Sequence, residues 1–292
     1  MSYNIELRHL RYFNALAEEL HFRKAAERLF ISQPGLSRQI MLMEEEMGVE
    51  LFNRNKKHVS LTQAGEYFKE EAEYILNHMQ HVINQTKSIQ SGHEGELRIG
   101  FVGSAMQKVI PDLLLKLNKS NPGIRTSLDE LSNDQQILHL MHDKLDIGFI
   151  RKNDVPEEIV IHPITKETFS LVLPDDHVLE DSNYNGVNQL KDESFILFNR
   201  LYSPEYFSNV MSIFEDQGYT PHITHRSVHA STIFRLVENG LGIAIVPTSL
   251  TDGFNMKVKF IELKNIKQRT ILYVCYKSGN RNSALKHFIQ FL

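Results

Sequence analysis

Residues 63–91 are the sequence feature that most limits what this chain can fold into. Thr62 is a good N-cap and Gly92 is the next helix breaker, so the spacing predicts one helix of about 29 residues, or about 43 Å. A mostly apolar seam recurs along it at alternating steps of four and three, at Phe68, Ala72, Ile75, Met79, Val82, Thr86 and Ile89. Such long heptads are typical of a helix paired with another helix, and a helix within the core of one domain is the alternative. The sequence thus predicts a dimerisation helix between a short N-terminal part and a long C-terminal part.

The composition is that of a globular protein outside the membrane. Of its 292 residues, 41% are hydrophobic and 23% are charged, which suffices for two or three cores. No apolar run approaches the roughly 18 to 20 residues that cross a bilayer. Glu6, Arg8, His9 and Arg11 stand where a signal peptide has its apolar core. We therefore expect a cytoplasmic protein with no membrane partner.

The distribution of charge in the N-terminal part allows a nucleic-acid partner, although the net charge of −4 taken alone argues against one. Residues 1–62 hold nine Lys or Arg and eight Asp or Glu. The acids lie mostly at Glu18, Glu19, Glu44, Glu45, Glu46 and Glu50, whereas the bases lie at Arg23, Lys24, Arg28, Arg38, Arg54, Lys56 and Lys57. A compact fold of this segment presents one basic face, which suits a phosphate backbone.

Three short helices are predicted before the wing of this N-terminal part. Residues 6–20 and 22–29 each carry apolar side chains at helical spacing, and Ser32 caps a third helix that ends at Gly48. The buried stripe of the third helix is Leu36, Ile40 and Met43, which turns Gln33, Pro34, Ser37, Arg38 and Met41 outward. Side chains of these types can donate to base edges, and a solvated polar face is the alternative.

These residues resemble the DNA-binding domain of the LysR family of bacterial transcriptional regulators. The resemblance rests on segments in the family's order and spacing, namely 7–13 (LRHLRYF), 22–29 (FRKAAERL), 32–40 (SQPGLSRQI), 44–48 (EEEMG), 51–54 (LFNR) and 61–65 (LTQAG). Gly35 departs from the alanine or proline more usual there. The resemblance implies a winged helix-turn-helix whose recognition helix, 33–46, enters the major groove. It implies these DNA-binding residues: Arg23, Gln33, Pro34, Ser37, Arg38, Arg54, Lys56 and Lys57.

The C-terminal part alternates short strands with helices, which predicts parallel βαβ units in two lobes. The predicted strands are 97–102, 124–131, 145–150, 168–173, 195–198, 241–246 and 271–276, and the predicted helices are 105–117, 134–142, 204–217, 230–239 and 283–291. The fold class is therefore α+β multidomain. Its predicted parts are a helix-turn-helix domain at 1–62, a linker helix at 63–92 and an effector domain at 93–292. Lobe I would span about 93–165 and 269–292, and lobe II about 166–268.

One turn in the C-terminal part is the leading candidate for a small-ligand site. The strand 97–102 passes through Gly103 into a helix at Ser104, and a helix start at the carboxyl end of a strand offers free amides to an anion. Ser132 and Asn133 follow the strand 124–131 in the same way. For each of these residues helix capping is the alternative role.

The C-terminal part also resembles the LysR effector domain, which is similar to periplasmic binding proteins. The resemblance rests on 100–104 (GFVGS), 145–151 (LDIGFIR) and 236–247 (LVENGLGIAIVP), and is strongest to the branch regulating aromatic-acid degradation and acetoin synthesis. It implies a small organic anion as effector, bound by Val102, Gly103, Ser104, Ser132, Asn133 and Phe207. It further implies a homodimer or homotetramer, an operator in double-stranded DNA with two-fold character, and RNA polymerase as a partner.

An enzyme and an architectural DNA-binding protein without an effector are the rival functions. The sequence has no nucleophile elbow, phosphate loop, metalloprotease motif or dinucleotide fingerprint, so it predicts neither an enzyme nor a cofactor. His222, His225 and His229 form the one suggestive metal cluster, but a strand there would turn His222 and His225 to opposite faces. Cys275 lies in an apolar run, which favours a buried structural thiol over a redox sensor.

Overall fold

The computed structural model describes residues 5–55, 58–90 and 95–292. The chain forms two compact units: the first comprises residues 1–87 and 142–144, and the second comprises residues 88–141 and 145–292. Among the described residues, every helix is too short or too polar to span a bilayer.

The first unit is a three-helix domain with a two-stranded wing and a long final helix. Its elements are α1 (Leu7–Glu19), α2 (Phe22–Arg28), α3 (Gln33–Met47), β1 (Phe52–Asn55), β2 (His58–Leu61) and α4 (Gln63–Gln90). The strands β1 and β2 pair antiparallel. The core lies around Phe13, whose ring meets Phe52 and Phe68 at centroid distances of 5.2 Å and 4.8 Å.

The caps predicted from the sequence begin and end α3 and begin α4. The Oγ of Ser32 accepts a hydrogen bond from the amide of Gly35 at 3.3 Å, and the Oγ1 of Thr62 accepts one from Gly65 at 2.9 Å. Gly48 ends α3 in the left-handed region at φ 66°, which glycine adopts without strain. The Oε1 of Glu44 then accepts from the amides of Leu51 and Phe52, so α3 holds the start of the wing.

The predicted seam of α4 divides into two parts. Ala72 is fully buried in the core of the first unit and Phe68 packs against that core. Ile75, Met79 and Val82 are 44%, 41% and 44% exposed, at spacings of four and three. The heptad assignment was therefore wrong for the first turns, because the N-terminal domain covers them. The predicted Ile89 lies among residues whose side chains are outside the description.

The second unit begins with a five-stranded mixed sheet, called sheet I. Its elements are β3 (Gly95–Phe101), α5 (Val109–Ser120), β4 (Ile124–Glu130), α6 (Asn133–Met141), β5 (Ile147–Ile150) and β6 (Ile159–Glu167), together with β12 (Thr270–Lys277) and α9 (Ser283–Ile289) from the end of the chain. The strand order is β4-β3-β5-β12-β6. Because β4, β3 and β5 are parallel, their carboxyl ends meet at one edge.

The middle of the second unit forms a second group of strands, called sheet II. Its elements are β7 (Phe169–Pro174), β8 (Ser194–Phe198), α7 (Pro204–Glu215), β9 (His222–Ser227), α8 (Ala230–Glu238), β10 (Ala244–Pro247) and β11 (Val258–Glu262). The strands β10, β7 and β11 pair antiparallel, and β8 pairs with β9 in parallel. An isolated bridge between Phe195 and Ile243 joins β8 to the chain just before β10.

The expectation of parallel βαβ units was wrong for four of the seven strand pairings of this unit. The strand β12 runs antiparallel to β5 and β6, and β7 runs antiparallel to both of its neighbours. The sequence prediction also omitted β6 and β11, whose residues are mostly half-buried or exposed, so their apolar alternation is weak. Cys275 lies fully buried on β12, and burial raises the pKa of its thiol to about 12, as a structural thiol requires.

The helix predicted at 105–117 is two elements rather than one. A short 3₁₀ turn covers Gly103–Gln107, the backbone breaks at Lys108 with φ −144° and ψ −52°, and α5 then begins at Val109. Pro111 explains the break, since a proline inside a continuous helix would lose one hydrogen bond and clash with the carbonyl of Gln107. Restarting the helix at Val109 places Pro111 in its first turn.

Candidate functional site

The first unit presents the start of α3 to solvent. Gln33, Pro34 and Arg38 are exposed and Ser37 is half-buried, while Leu36 and Ile40 fill the core behind them. A shallow concavity runs along this face. It is lined by the predicted contact residues and by residues of the next turn of α3, namely Gln33, Pro34, Ser37, Arg38, Met41, Leu42 and Glu45. The residues that the sequence analysis assigned to base contact thus share one accessible face.

The remaining predicted DNA contacts are described only in part. Arg23 is exposed on α2, where its Nε donates to Oε1 of Glu27 at 3.0 Å. Arg54 lies on β1 opposite Val59, but its side chain is outside the description. Lys56 and Lys57 fall outside the described residues.

The second unit contains a cavity of about 290 Å³ at the carboxyl ends of both sets of parallel strands. Sheet I contributes the turn after β3, Glu130 at the end of β4 and Arg151 after β5. Sheet II contributes Phe198 at the end of β8, the segment before α7 and the start of α8. This is the edge of an α/β sheet at which ligands bind, because chain turns there leave backbone groups free.

Ser104 and Arg151 form one polar wall of this cavity. Both residues are buried, and the Nε of Arg151 donates to the Oγ of Ser104 at 2.9 Å. Because that oxygen accepts from Arg151, the hydroxyl proton of Ser104 is directed elsewhere and can be donated to a ligand. The hydroxyl of Ser104 is therefore a hydrogen-bond donor whose orientation is set by the guanidinium of Arg151.

A buried ion pair holds Arg151 in place. Burial lowers the pKa of Arg151, and the charge and hydrogen bond of Glu167 partly offset this. The Nη1 of Arg151 donates to Oγ1 of Thr270 at 3.1 Å, and its Nη2 donates to Oγ of Ser249 at 3.2 Å. Since Ser249 also donates to Glu167 at 3.0 Å, the guanidinium is fixed on several sides.

The start of α8 forms a second part of the wall. Val228, His229, Ala230 and Ser231 line the cavity there. His229 is the N-cap, with extended backbone, and its side chain makes no capping hydrogen bond. The start of this nine-residue helix therefore lies at the cavity without a side-chain cap, and a helix N-terminus favours a negative group.

Glu130 and Tyr202 introduce polar groups of a different kind. The Oε1 of Glu130 lies 3.4 Å from Nδ1 of His229. The hydroxyl of Tyr202 is buried and has no hydrogen-bond partner among the described residues. Burial, with a smaller contribution from the charge of Glu130, raises the pKa of Tyr202 to about 12, so this phenol stays protonated at neutral pH.

Three of the predicted effector residues do not line the cavity. Ser132 caps α6, since its Oγ accepts from the amide of Gln135 at 3.2 Å. The Oδ1 of Asn133 accepts from the amide of Arg151 at 3.0 Å, and its Nδ2 donates to Glu205 at 3.2 Å. Phe207 packs against the core of sheet II instead, because α7 turns Tyr206 to the cavity. The structure thus gives Ser132 its alternative role as a cap, and it gives Asn133 a role in positioning Arg151.

The other predicted effector residues lie together on the cavity wall, namely Val102, Gly103 and Ser104. Sequence reasoning missed Arg151, Glu130, Tyr202 and the start of α8. A signal was present for two of them, because Glu130 and Arg151 each end a predicted strand, where side chains of neighbouring parallel strands meet. The histidines at 222, 225 and 229 are exposed, and no metal-binding group of three was found among the described residues.

Comparison with known proteins matches both units. Residues 7–66 match the bacterial regulatory helix-turn-helix proteins of the LysR family, and residues 90–292 match the LysR substrate binding domain. The HTH-type transcriptional regulator AlsR of Bacillus subtilis (strain 168) is 34% identical, over 98% of this chain and 94% of that protein.

Solved structures of LysR-family regulators are similar to this one. Full-length CbnR in complex with its target DNA has a TM-score of 0.76 and 26% identity, covering 98% of both chains. The effector binding domain of BenM with its effector benzoate has a TM-score of 0.58 and 25% identity, covering 68% of this chain and 92% of that one.

Proposed function

The chain belongs to the LysR family of transcriptional regulators, and from this membership we propose that a small organic carboxylate controls its binding to an operator. It is a DNA-binding regulator with an effector-binding domain, and not an enzyme. The chemical class of the effector and the residues that bind it are the new parts of the proposal.

The observation that carries the carboxylate is the hydrogen bond from Arg151 to Ser104. Because the Oγ of Ser104 accepts this hydrogen bond, its hydroxyl proton is free to be donated into the cavity, beside the fixed guanidinium of Arg151. The uncapped start of α8 adds a favourable field for negative charge on the same cavity. That the BenM domain holds benzoate, an aromatic carboxylate, as its effector supports the same class for this chain.

For DNA we propose that the start of α3 reads base edges in the major groove and that the wing contacts the backbone. Exposure of Gln33, Pro34 and Arg38 supports the first part, and the likeness to CbnR on its target DNA supports the docking of this unit. The wing contacts would come from Arg54, Lys56 and Lys57. RNA polymerase remains a proposed partner on the strength of family membership.

Effector control requires two arrangements of the molecule with different affinities for the carboxylate. Binding in the cavity would favour one of them, and the paired α4 helices would transmit the change to the DNA-binding units. A ligand shifts such an equilibrium only by its differential affinity, typically about 1 to 3 kcal/mol. We propose domain boundaries near residues 62 and 92, and lobes divided near 165 and 268.

Substituting Ser104 tests this function. We expect Ser104→Ala to lose the response to the effector while it keeps operator affinity, because a carboxylate loses its oriented donor. Acetate, succinate and benzoate would be titrated by calorimetry, and DNase protection would report the footprint with and without each acid. Ser132→Ala is the matched control, since Ser132 is a serine outside the cavity lining. An unchanged affinity and an unchanged footprint shift in Ser104→Ala would remove Ser104 from the site.

A regulator that needs no effector is the second candidate. Ligand-dependent thermal stabilisation separates the two, because a ligand bound only by the folded state raises the melting temperature. If no small acid raises the melting temperature, the effector-free candidate is favoured.

A further inference from the structure

We propose that the effector carries a hydroxyl group besides its carboxylate, and that Glu130 and Tyr202 recognise this hydroxyl. The inference rests on the proposed function, since it names a second chemical requirement of the same cavity. Ser104, Arg151 and the start of α8 suit a negative group, whereas Glu130 and Tyr202, which also line the cavity, suit something else. The proposed effector is therefore a small hydroxy acid.

Glu130 lines the cavity at the end of β4. Its Oε1 lies so close to Gly103 that a Cβ on that glycine would be 2.8 Å from it. The carboxylate of Glu130 thus lies directly over the turn that begins at the end of β3. Its other contact is the 3.4 Å approach to His229, a long hydrogen bond to a half-exposed ring. A carboxylate accepts several hydrogen bonds, so Glu130 keeps acceptor capacity for the cavity.

Glu130 also constrains the charge of what binds beside it. A second carboxylate placed against Glu130 would be repelled, and an apolar group there would leave the carboxylate oxygens without donors. The favourable neighbour of Glu130 is a hydrogen-bond donor. An effector that consists of a carboxylate and a hydrocarbon chain alone does not supply one.

Tyr202 narrows the donor to a hydroxyl. Its own hydroxyl is buried without a partner among the described residues, and such a group costs free energy until it is paired. The phenol stays protonated, so it has a proton to donate and needs an acceptor. An ammonium group would donate to Glu130 but could not accept from Tyr202. An alcohol can do both once the Tyr202 hydroxyl, which the protein encloses in this arrangement, turns towards the cavity: it accepts from Tyr202 and donates to Glu130.

The cavity volume limits the size of such a molecule. At about 290 Å³ it has room for a small acid with a short carbon skeleton or one aromatic ring. We would therefore test matched sets that differ in one group. They are propionate, lactate and alanine; succinate, malate and aspartate; and benzoate with 3-hydroxybenzoate.

Calorimetry on the full-length protein tests the inference directly. In at least one set we expect the hydroxy acid to bind at least tenfold tighter than the acid without the hydroxyl, and tighter than the amino acid. If in every set that binds the acid without a hydroxyl binds as tightly as its hydroxylated counterpart, hydroxyl recognition is wrong and the carboxylate site stands. If an amino acid binds best of its set, the donor is an amine and the inference is likewise wrong. If no acid binds at millimolar concentration, the carboxylate effector itself fails.

Two near-isosteric variants then locate the recognition. Tyr202→Phe removes only the hydroxyl. In the set whose hydroxy acid binds tighter to the wild type, we expect this variant to bind the hydroxy acid and the acid without the hydroxyl with nearly equal dissociation constants, so that their ratio is close to one. Glu130→Gln weakens the acceptor, and we expect it to lower the same ratio. Tyr184→Phe is the matched control, because this half-buried tyrosine packs against the core of sheet II and does not line the cavity.

The ratio of dissociation constants distinguishes recognition from a general contribution to the fold. A variant that binds the operator like the wild type but keeps the full preference for the hydroxy acid would overturn the assignment of that residue. A Tyr202→Phe variant that loses both acids of a set equally would also overturn it, because the hydroxyl would then not be what Tyr202 recognises.

Discussion

Asp146 is a buried carboxylate whose charge is balanced by one side chain of sheet I. Its Oδ2 accepts from the backbone amide and the Nε of Arg98, each at 2.9 Å, and its Oδ1 accepts from Nη2 at 3.0 Å. Burial raises the pKa of Asp146, but these hydrogen bonds and the charge of Arg98 outweigh it, so the pKa lies below its usual value. A bidentate pair of this kind joins β3 to the start of β5.

We expect Asp146→Asn to destabilise the protein by about 3 kcal/mol, because it breaks the buried bidentate ion pair with Arg98. Because the pKa of Asp146 is lower in the folded state than in the unfolded state, its ionised form contributes stability above the unfolded-state pKa of about 4. This contribution is lost as the pH falls through the folded-state pKa. Urea unfolding at pH 7 and near pH 3 should therefore show a smaller difference between wild type and variant at the lower pH. Asp129→Asn, at an exposed aspartate on β4, is the control. A difference that grows towards low pH would contradict this account.

Arg38 and Lys57 represent the two kinds of DNA contact that the first unit is expected to make. Arg38 is exposed on the start of α3, and Lys57 belongs to the predicted wing, outside the described residues. We expect Arg38→Ala to cost about 1 to 3 kcal/mol on the preferred operator and to relax base discrimination. Lys57→Ala should weaken binding to all DNA sequences similarly. It should also lower the slope of the logarithm of affinity against the logarithm of salt concentration by about one unit. Binding to operator and unrelated DNA at several salt concentrations would show whether these roles are reversed.

At the scale of elements, α4 combines two different environments in one helix. Its 28 residues extend for about 42 Å, and its first turns are packed into the core of the first unit. Further along, Ile75, Met79 and Val82 form an exposed apolar stripe. An amphipathic helix with such a stripe is stable when a second helix covers it, which supports pairing with a second copy of the chain.

A charge placed on this stripe should separate the two copies. We expect Met79→Glu to shift the protein towards monomer at micromolar concentration, because a carboxylate buried at the seam would lose its water. Gln80→Glu adds the same charge one residue away on an exposed position and should keep the assembly of the wild type. Sedimentation velocity measures both. A Met79→Glu protein that sediments like the wild type would place the interface elsewhere.

At the scale of the whole molecule, the operator should reflect a dimer. Two copies related by a two-fold axis present two α3 helices, so we expect a footprint with two-fold character and half-sites separated by whole helical turns. Inserting five base pairs, about half a turn, between the half-sites should reduce affinity strongly, whereas inserting ten should reduce it less. A titration of these operators by gel shift is the measurement. Equal affinity for both insertions would argue against two DNA-binding units held at fixed spacing.

The sequence by itself determined the features that depend on local interactions. Caps at Ser32 and Thr62, the αL end of α3 at Gly48 and the length of α4 follow from residues a few positions apart, and the structure has all of them. The LysR family was also readable, because its motifs are contiguous, and the comparisons confirm it. Pro111 was a local signal for the break before α5 that the helical periodicity concealed.

Only the tertiary structure decided which polar side chains meet in the cavity. Ser104 and Arg151 are 47 residues apart, and Glu130 and His229 are 99 residues apart, so their contacts depend on strand order and register across the sheets. A one-residue shift in register reverses the face of every side chain on a strand, and no tight turn joins β3, β4 and β5 to specify their register. Ser132, Asn133 and Phe207 were predicted at the cavity but lie outside its lining, because the start of α6 and the packed face of α7 engage them elsewhere. Spacing along the chain identifies the edge of the sheet, whereas packing between distant strands selects the residues that line it.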